Sequence, residues 1–224
     1  MTIISFLHAK GGVGKTTSTM WLAAAAAYST KINVPIHVID ADINQGSLSS
    51  WHEDAEALHD SEPEVPFVNV TLHSGNYRQV IKALDSIPDD EVVIVDGPPA
   101  DFAMISDVAR RSDFVVIPTK GTAVEIEQIL TTISRAIPES TKYGVLFTMW
   151  NKSSTLVEEA RSALEELDEP YFWPPISKLT YLERAAGTWP ANNRKELAGY
   201  DFLLAQILEK INACLLYTSP SPRD

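Results

Sequence analysis

The residues best suited to chemistry in this sequence form one glycine-rich run, Lys10-Gly11-Gly12-Val13-Gly14-Lys15-Thr16-Thr17. Glycines allow backbone N–H groups to turn inward around anionic oxygens. A helix that begins directly after such a run adds the positive end of its dipole. Lys15 is expected to reach the β- and γ-phosphates of a nucleotide, and the hydroxyl of Thr16 to bind Mg²⁺. The run therefore predicts a phosphate-binding loop for a nucleoside triphosphate.

Acidic side chains follow two further apolar runs that have the character of strands. Asp40 and Asp42 come directly after one of them, and Asp96 ends the other. Carboxylates beside a buried strand are costly unless they serve a cation, a water molecule or a hydrogen-bond network. Asp96 is therefore expected to hold Mg²⁺, usually through water. For Asp40 and Asp42 the alternative is a helix N-cap, because aspartate is a common capping residue.

Strand-like and helix-like patterns alternate along the chain. Short apolar runs predict strands at residues 3–7, 36–39, 67–72, 92–95, 114–117 and 145–149. Helical periodicity predicts helices at residues 16–28, 77–87, 102–111, 123–136, 156–167, 180–187 and 196–212. This alternation predicts an α/β fold with a mostly parallel, twisted sheet and helices on both faces. Together with the glycine-rich run it predicts a P-loop NTPase. Such sheets bind ligands beyond the carboxyl ends of their strands, where the loop and the acids should meet.

Composition narrows the class of protein. The chain has 224 residues, of which 45% are hydrophobic, and this suits one globular domain. No apolar run approaches the ~20 residues of a membrane span, and the start lacks the pattern of a secretory signal. A single cysteine, Cys214, excludes an internal disulfide framework and predicts a cytoplasmic setting. The net charge of −12 argues against a chain that coats nucleic acid, although it leaves room for a local basic patch.

The glycine-rich run resembles the deviant Walker A motif, KGGVGKTT, of the ParA/MinD/Soj family of ATPases. The usual phosphate loop begins with glycine, whereas Ala9 stands at that position here and Lys10 follows it. In that family the extra lysine crosses a dimer interface and contacts the nucleotide of the second subunit. The resemblance therefore implies that Lys10 has this role, and that the chain forms a homodimer when it holds ATP and Mg²⁺.

Both acidic segments resemble the switches of the same family. The residues from Asp40 to Ser47 are similar to D-x-D-P-Q-G-S, with Ile43 in place of proline. The resemblance implies that Asp42 positions the attacking water. It also implies that Asp40 supports the switch and the loop lysine, with metal binding as a second role. The residues from Asp96 to Pro99 match the family's D-x-P-P, which senses the γ-phosphate.

Other site residues are implied less specifically. An asparagine near the end of a late strand contacts the adenine ring in relatives, which points to Asn151; a plain loop asparagine is the alternative. Relatives bind DNA without sequence preference through basic residues late in the fold. The candidates here are Lys178, Arg184, Arg194 and Lys195, for which a solvated surface is the alternative.

The resemblance is closest to the short ParA-type partition ATPases. It implies an ATP hydrolase that dimerises on ATP, binds DNA non-specifically, associates with the nucleoid and is stimulated by a ParB-like adaptor. A MinD-like division regulator and an orphan ParA-type positioning regulator are the alternatives. The MinD-like role needs a C-terminal amphipathic membrane helix, and none is visible, so no membrane contact is expected.

The last eleven residues, 214–224, break the pattern of the chain. They resemble the translation of a sequencing-library adapter, because TGT CTC TTA TAC ACA TCT reads Cys-Leu-Leu-Tyr-Thr-Ser. A natural tail rich in serine and proline is the alternative. We therefore expect one ParA-like domain at residues 1–213, followed by a tail that plays no part in the fold.

Overall fold

A computed structural model describes residues 1–42, 46–151, 155–183 and 185–217 of the chain. The strands are β1 Thr2–Phe6, β2 Ile36–Asp40, β3 Thr71–Ser74, β4 Val92–Asp96, β5 Phe114–Thr119, β6 Tyr143–Phe147 and β7 Tyr171–Phe172. The helices are α1 Lys15–Tyr28, α2 Ser47–Ser61, α3 Tyr77–Ser86, α4 Phe102–Arg111, α5 Ala123–Ala136, α6 Leu156–Glu166, α7 Thr180–Glu183 and α8 Tyr200–Tyr217.

The seven described strands form one sheet in the order β3-β2-β4-β1-β5-β6-β7, and every pair is parallel. The predicted α/β class is confirmed. Three neighbouring strands end level with one another, because Phe6 and Asp40 are both in register with Asp96. This register brings the phosphate loop and both acidic segments to the same edge of the sheet, as the sequence predicts.

Two hydrophobic cores lie on opposite faces of the sheet. One core packs the sheet against α1, α2 and α8, and the other packs it against α3, α4, α5 and α6. Four consecutive alanines of α1, residues 23–26, are almost completely buried, from Ala23 at 0% exposed to Ala25 at 3%. Side chains this small allow α1 to lie close to the central strands. The helix that carries the phosphate loop is therefore fixed within the core.

The structure corrects some predicted boundaries in the second half of the chain. The strand predicted at 67–72 lies at Thr71–Ser74, and the two residues of β7 are too short to give a sequence pattern. The predicted helix 180–187 ends at Glu183, and the predicted helix 196–212 begins at Tyr200. Glycines with positive φ at Gly187 and Gly199 lie in the connection between these two helices. They favour a non-helical path there.

Helix α8 reaches Tyr217 and so includes the first four residues of the tail. The prediction that the last helix ends before residue 214 is therefore wrong, since apolar residues continue the helical backbone across that point. The adapter-like origin of residues 214–224 stays a prediction. Within the described part of the chain, no helix is both long and apolar enough to cross a membrane.

Candidate functional site: a phosphate loop and two acidic strand ends

The glycine-rich loop connects β1 to α1 at the carboxyl edge of the sheet. Gly12 and Gly14 have φ angles of 70° and 91°, a region that glycine adopts without strain. Gly14 is the N-cap of α1, and no side chain caps the helix. The first backbone N–H groups of α1 have no partners within the helix itself, so they suit an anion.

A cavity of about 370 Å³ lies over this loop. Its lining joins loop residues to both acidic segments and to two later parts of the chain: Gly11, Gly12, Gly14, Lys15, Thr16, Thr17, Asp42, Ser47, Trp51, Pro99, Met149 and Ala186. Val13 is fully buried below it. The structure thus brings the predicted loop together with Asp42. The cavity can accept a chain of phosphates, and we call it the phosphate cavity.

Thr16 and Asp96 form the part of the site that fits a metal ion. Thr16 Oγ1 donates a hydrogen bond of 2.6 Å to Asp96 Oδ2. Asp96 is 1% exposed, and its other oxygen, Oδ1, accepts no hydrogen bond from the residues that the structure describes. Burial raises the pKa of Asp96 to about 7, and the neighbouring Asp40 and Asp42 contribute in the same direction.

A buried acceptor without a partner costs roughly 1–3 kcal/mol, and a cation beside Asp96 would remove that cost. No group of three or more histidine, cysteine or acidic side chains in the described ranges is arranged to hold a metal ion. Mg²⁺ does not need such a cage, because it is commonly bound by one or two protein oxygens together with phosphates and water. The residues present therefore fit Mg²⁺ that arrives with a nucleotide.

Asp40 is tied to the start of helix α2. Its Oδ1 accepts from Asp42 N at 3.1 Å, and its Oδ2 accepts from Ser49 N at 3.0 Å and from Ser49 Oγ at 2.8 Å. Both oxygens are thus bonded, one by the backbone of Asp42 and the other by Ser49 in the first turn of α2. This geometry suits the predicted supporting role of Asp40, while its second role as a metal ligand stays a prediction.

Lys15 is drawn back onto its own loop. Its Nζ donates to Lys10 O at 3.1 Å, and the residue is only 8% exposed. Burial lowers the pKa of Lys15, while the charges of Asp96 and Asp42 oppose that shift. Phosphate oxygens in the cavity would replace a single carbonyl acceptor with stronger, charged acceptors. Lys15 is therefore placed to move onto a nucleotide without leaving the loop.

Lys10 forms an ion pair with Glu125, which is not among the predicted site residues. Its Nζ lies 2.8 Å from Glu125 Oε1; the Lys10 side chain is 35% exposed and that of Glu125 only 3%. The other oxygen, Glu125 Oε2, accepts from the backbone N–H groups of Lys120 and Thr122. Burial raises the pKa of Glu125, but the hydrogen bonds with Lys10 and with the backbone outweigh that effect. The pKa of Glu125 therefore lies below its usual value.

Glu125 also forms a capping box with Thr122 at the start of α5. The T-x-x-E spacing is a sequence signal for a helix start, and it could have identified Glu125 as a structural residue. The contact with Lys10 spans 115 positions and has no local signal. Only the fold brings the two side chains together.

His8 fixes the backbone of Lys10. Its Nδ1 accepts from Lys10 N at 2.9 Å, while its Nε2 is buried and has no hydrogen-bond partner among the described residues. Burial, together with the charge of Lys15, lowers the pKa of His8 to about 4. The neutral ring is therefore the form that the fold requires.

We expect this histidine to make the fold sensitive to acid. The unfolded chain binds the proton with a pKa near 6.5. The stability that His8 contributes is therefore present above pH 6.5 and is lost as the pH falls toward 4. The full difference is about 3 kcal/mol. The variant His8→Asn keeps an acceptor for Lys10 N but does not titrate. Urea unfolding at pH 7 and pH 5 should show a smaller loss of stability in His8→Asn, and equal losses in both proteins would contradict the assignment.

A second cavity of about 280 Å³ adjoins the phosphate loop and is mostly apolar. Gly14, Thr17 and Trp51 line it on the loop side, and the other lining residues are Met149, Ile176, Ser177, Lys178, Leu179, Leu182 and Ala186. Its position and chemistry suit the base and ribose of a nucleotide. Asn151 is exposed and lines neither this cavity nor the phosphate cavity. Its contact with the adenine ring stays a prediction.

The predicted DNA-contact residues do not line one common cavity. Lys178 lines the apolar cavity beside the loop, Arg194 lines a cavity beside α8, and Lys195 lines a third cavity beside Trp21 and Trp189. The side chain of Arg194 is 96% exposed and lies 4.0 Å from Asp201. Arg184 lies outside the described residues. The role of these four residues in DNA binding stays a prediction.

Comparison with known proteins places this site in context. The sequence profile described as the CobQ/CobB/MinD/ParA nucleotide binding domain matches residues 4–188, which include the loop and both acidic segments. "Maintenance of carboxysome distribution protein A" of Gloeobacter kilaueensis is 32% identical over 187 residues, covering 82% of this chain and 80% of that protein.

Two solved structures show the same fold. A complex of ATP with an Asp-to-Ala variant of Cyanothece McdA aligns with a TM-score of 0.64 at 18% identity, covering 99% of this chain and 98% of that one. The pNOB8 ParA bound to nonspecific DNA aligns with a TM-score of 0.59 at 17% identity, covering 97% of this chain and 99% of that one.

Proposed function

The chain belongs to the family of CobQ/CobB/MinD/ParA nucleotide-binding domains, and from that premise we propose that it is an ATP-driven partition or positioning ATPase. The observation that carries the proposal is the phosphate cavity, which joins the glycine loop, Lys15 and Asp42 at one edge of the sheet. Lys10, partly exposed beside that cavity, adds the means to contact a second copy.

ATP binding uses the loop as the geometry suggests. The backbone N–H groups around Gly12 and Gly14 surround the phosphates, and Lys15 leaves the carbonyl of Lys10 to contact the β- and γ-phosphates. Thr16 and Asp96 would hold Mg²⁺, which would supply positive charge against those phosphates. Asp42 positions the water that attacks the γ-phosphorus. Since the protein contributes positioning and electrostatics only, turnover is slow and needs a stimulus.

Dimerisation requires Lys10 to exchange partners. In the described conformation its ammonium group is held by Glu125 within the same subunit. In the ATP-bound dimer it reaches the phosphates of the second subunit, where the negative charge is greater. The pair with Glu125 therefore competes with dimerisation, and ATP tips the balance because it supplies the stronger counter-charge.

The ATP dimer is expected to bind DNA and to respond to an adaptor. The DNA-bound structure of pNOB8 ParA supports non-specific DNA as the track. Lys178, Arg194 and Lys195, all exposed, are the candidate contacts within the described residues, and the chain's net charge of −12 means that binding must be confined to a local patch. A ParB-like adaptor on plasmid or chromosomal DNA is the proposed stimulus for hydrolysis.

A second candidate differs in cargo and not in chemistry. The relative from Gloeobacter kilaueensis is named for the distribution of carboxysomes. This name favours a positioning ATPase that acts on a protein body rather than on a plasmid. Both candidates use the same nucleotide switch, and the adaptor distinguishes them.

The proposal is tested by sedimentation velocity with Mg·ATP, with Mg·ADP and without nucleotide. We expect a dimer with ATP alone. DNA binding is then measured with duplexes of unrelated sequence at several salt concentrations. Affinity that is independent of sequence, requires ATP and falls steeply with salt supports the proposal. A protein that stays monomeric with ATP would refute the dimer switch, and one that dimerises but ignores DNA would refute the track.

Replacing Glu125 with glutamine is expected to favour the dimer. Glutamine has the same shape and can still accept the backbone hydrogen bonds at the start of α5, but it lacks the charge that holds Lys10. Each of the two subunits must break this pair, and an ion pair with a partly exposed partner contributes about 1 kcal/mol, so the dimer should form at roughly 30-fold lower protein concentration with ATP. The matched control is Glu127→Gln on the same helix. An unchanged dimerisation constant in Glu125→Gln would show that the pair does not restrain Lys10.

A further inference from the structure

The helix that follows Asp42 is attached to a distant segment of the chain. We call this segment, residues 185–199 between α7 and α8, the connector. Trp51 of α2 donates its indole N–H to Thr188 O in the connector at 2.8 Å. The ring of His52 lies edge-on to Trp189, with centroids 6.0 Å apart. Two successive side chains of α2 therefore contact two successive residues of the connector.

The backbone of the connector also approaches α2 closely. Gly187 has a φ of +77°, and a Cβ atom added there would lie 3.0 Å from the Cβ of Asp54 on α2. That distance is shorter than ordinary van der Waals contact, so a larger residue would push the two elements apart. The indole hydrogen bond and this close approach together make α2 and the connector one packed unit.

Trp51 is joined to the nucleotide site as well. Its side chain lines the phosphate cavity together with Lys15 and Asp42, although it is only 8% exposed. One turn earlier, Gly46 N donates to Asp42 O. Ser49 donates twice to Asp40, so the first turn of α2 is bonded to both acids of the switch. Asp42 and Trp51 are therefore connected through the start of α2.

The same connector is also bonded to α1, which is fixed in the core. Tyr28 of α1 donates to Pro190 O at 3.0 Å, and Trp21 donates to Glu196 O at 2.7 Å. The rings of Trp21 and Trp51 meet edge to face at 5.7 Å. The connector is thus held on one side by a static helix and on the other by the helix that follows the switch.

We infer that Trp51 is a positioning residue that couples Asp42 and the start of α2 to the connector. When ATP engages Asp42, α2 shifts against α1, and the Trp51–Thr188 hydrogen bond passes that shift to the connector. Because the connector carries the exposed Arg194 and Lys195, its position sets the shape of a basic surface. This inference rests on the proposed nucleotide switch and adds the route by which that switch is communicated.

The test compares two substitutions that each remove one donor to the connector. Trp51→Phe keeps an aromatic ring on α2 but loses the N–H group that reaches Thr188. Tyr28→Phe loses the hydroxyl that reaches Pro190 from α1, so it is the matched control. Backbone hydrogen exchange is measured for the wild type and both variants with Mg·ATP and with Mg·ADP, and kcat and KM for ATP are measured alongside.

In the wild type we expect amide exchange across 188–197 to differ between ATP and ADP. Trp51→Phe should reduce that difference about five- to tenfold while the loop at residues 10–17 still responds to nucleotide. It should also lower kcat with KM for ATP changed less than twofold. Tyr28→Phe should raise exchange in the connector equally in both nucleotide states, and it should leave kcat unchanged.

The outcomes separate two kinds of failure. A wild-type protein whose loop and connector both ignore ATP would overturn the proposed function itself. A wild-type connector that responds to ATP, together with an equal response in Trp51→Phe, would overturn the coupling role of Trp51 and leave the proposed function standing. Equal effects of the Trp51→Phe and Tyr28→Phe substitutions would mean that both donors only stabilise the connector, which also overturns the inference.

Discussion

Replacing Asp42 with alanine is expected to lower the rate of ATP hydrolysis by about 100-fold or more, the usual contribution of a group that positions or activates a nucleophile. Asp42 lines the phosphate cavity, and its backbone is held by Asp40 and Gly46. The substitution removes the carboxylate and leaves Lys15, Thr16 and Asp96 in place. ATP should therefore bind with an affinity within about threefold of the wild type.

The same variant should accumulate as an ATP-bound dimer, because in the proposed cycle hydrolysis is the step that ends the dimer. Phosphate release, Mg·ATP binding and sedimentation measure the three properties independently. Asp60→Ala is the matched control, since Asp60 is an exposed acid on the same helix α2. Hydrolysis at the wild-type rate in Asp42→Ala would show that Asp42 does not position the attacking water, and it would favour a water held by the backbone.

Replacing Lys15 with alanine is expected to abolish nucleotide binding at concentrations up to about 100 times the wild-type Kd. Lys15 is the lysine that lines the cavity over the loop. Two charge-assisted hydrogen bonds to the phosphates contribute about 3 kcal/mol or more. The fold should not be weakened, since burial already lowers the pKa of Lys15 and disfavours its charge. Calorimetric titration with Mg·ATP and thermal unfolding without nucleotide provide the two measurements.

Lys31→Ala is the control for this second variant, because Lys31 is exposed in the turn that follows α1. Lys15→Ala and Asp42→Ala also test each other. The first should yield a monomer that ignores ATP, and the second a dimer that retains it. If Lys15→Ala bound Mg·ATP as tightly as the wild type, the loop would not be the principal phosphate site and the cavity would need another ligand.

The parts of the site that could be predicted from sequence are those that have local patterns. The glycine run, the acid at the end of β4 and the acids after β2 are each read within a few residues. A parallel sheet then places them at one edge without further information, as the register of Phe6, Asp40 and Asp96 confirms. The fold class followed from the alternation of elements for the same reason.

The residues that escaped prediction act across long distances in the chain. Glu125 meets Lys10, and Thr188 meets Trp51, only because the sheet order brings separate elements together. No spacing in the sequence links such pairs. Element boundaries were least predictable between Glu183 and Tyr200, where the backbone is held by side chains of α1 and α2 rather than by regular hydrogen bonding. The helix propensities of the residues carry no information about these contacts.

Oδ1 of Asp96, which accepts no hydrogen bond from the described residues, has a consequence for how this protein can evolve. A buried carboxylate with one oxygen left unsatisfied keeps the resting protein below the greatest stability that its fold allows. Substitutions that remove the cost of this unsatisfied oxygen are easy to find, and each of them would weaken the proposed metal site. Selection for robustness and selection for turnover therefore act in opposite directions at one atom. Extra stability has to come from elsewhere, and the tightly packed alanine face of α1 is one place that provides it.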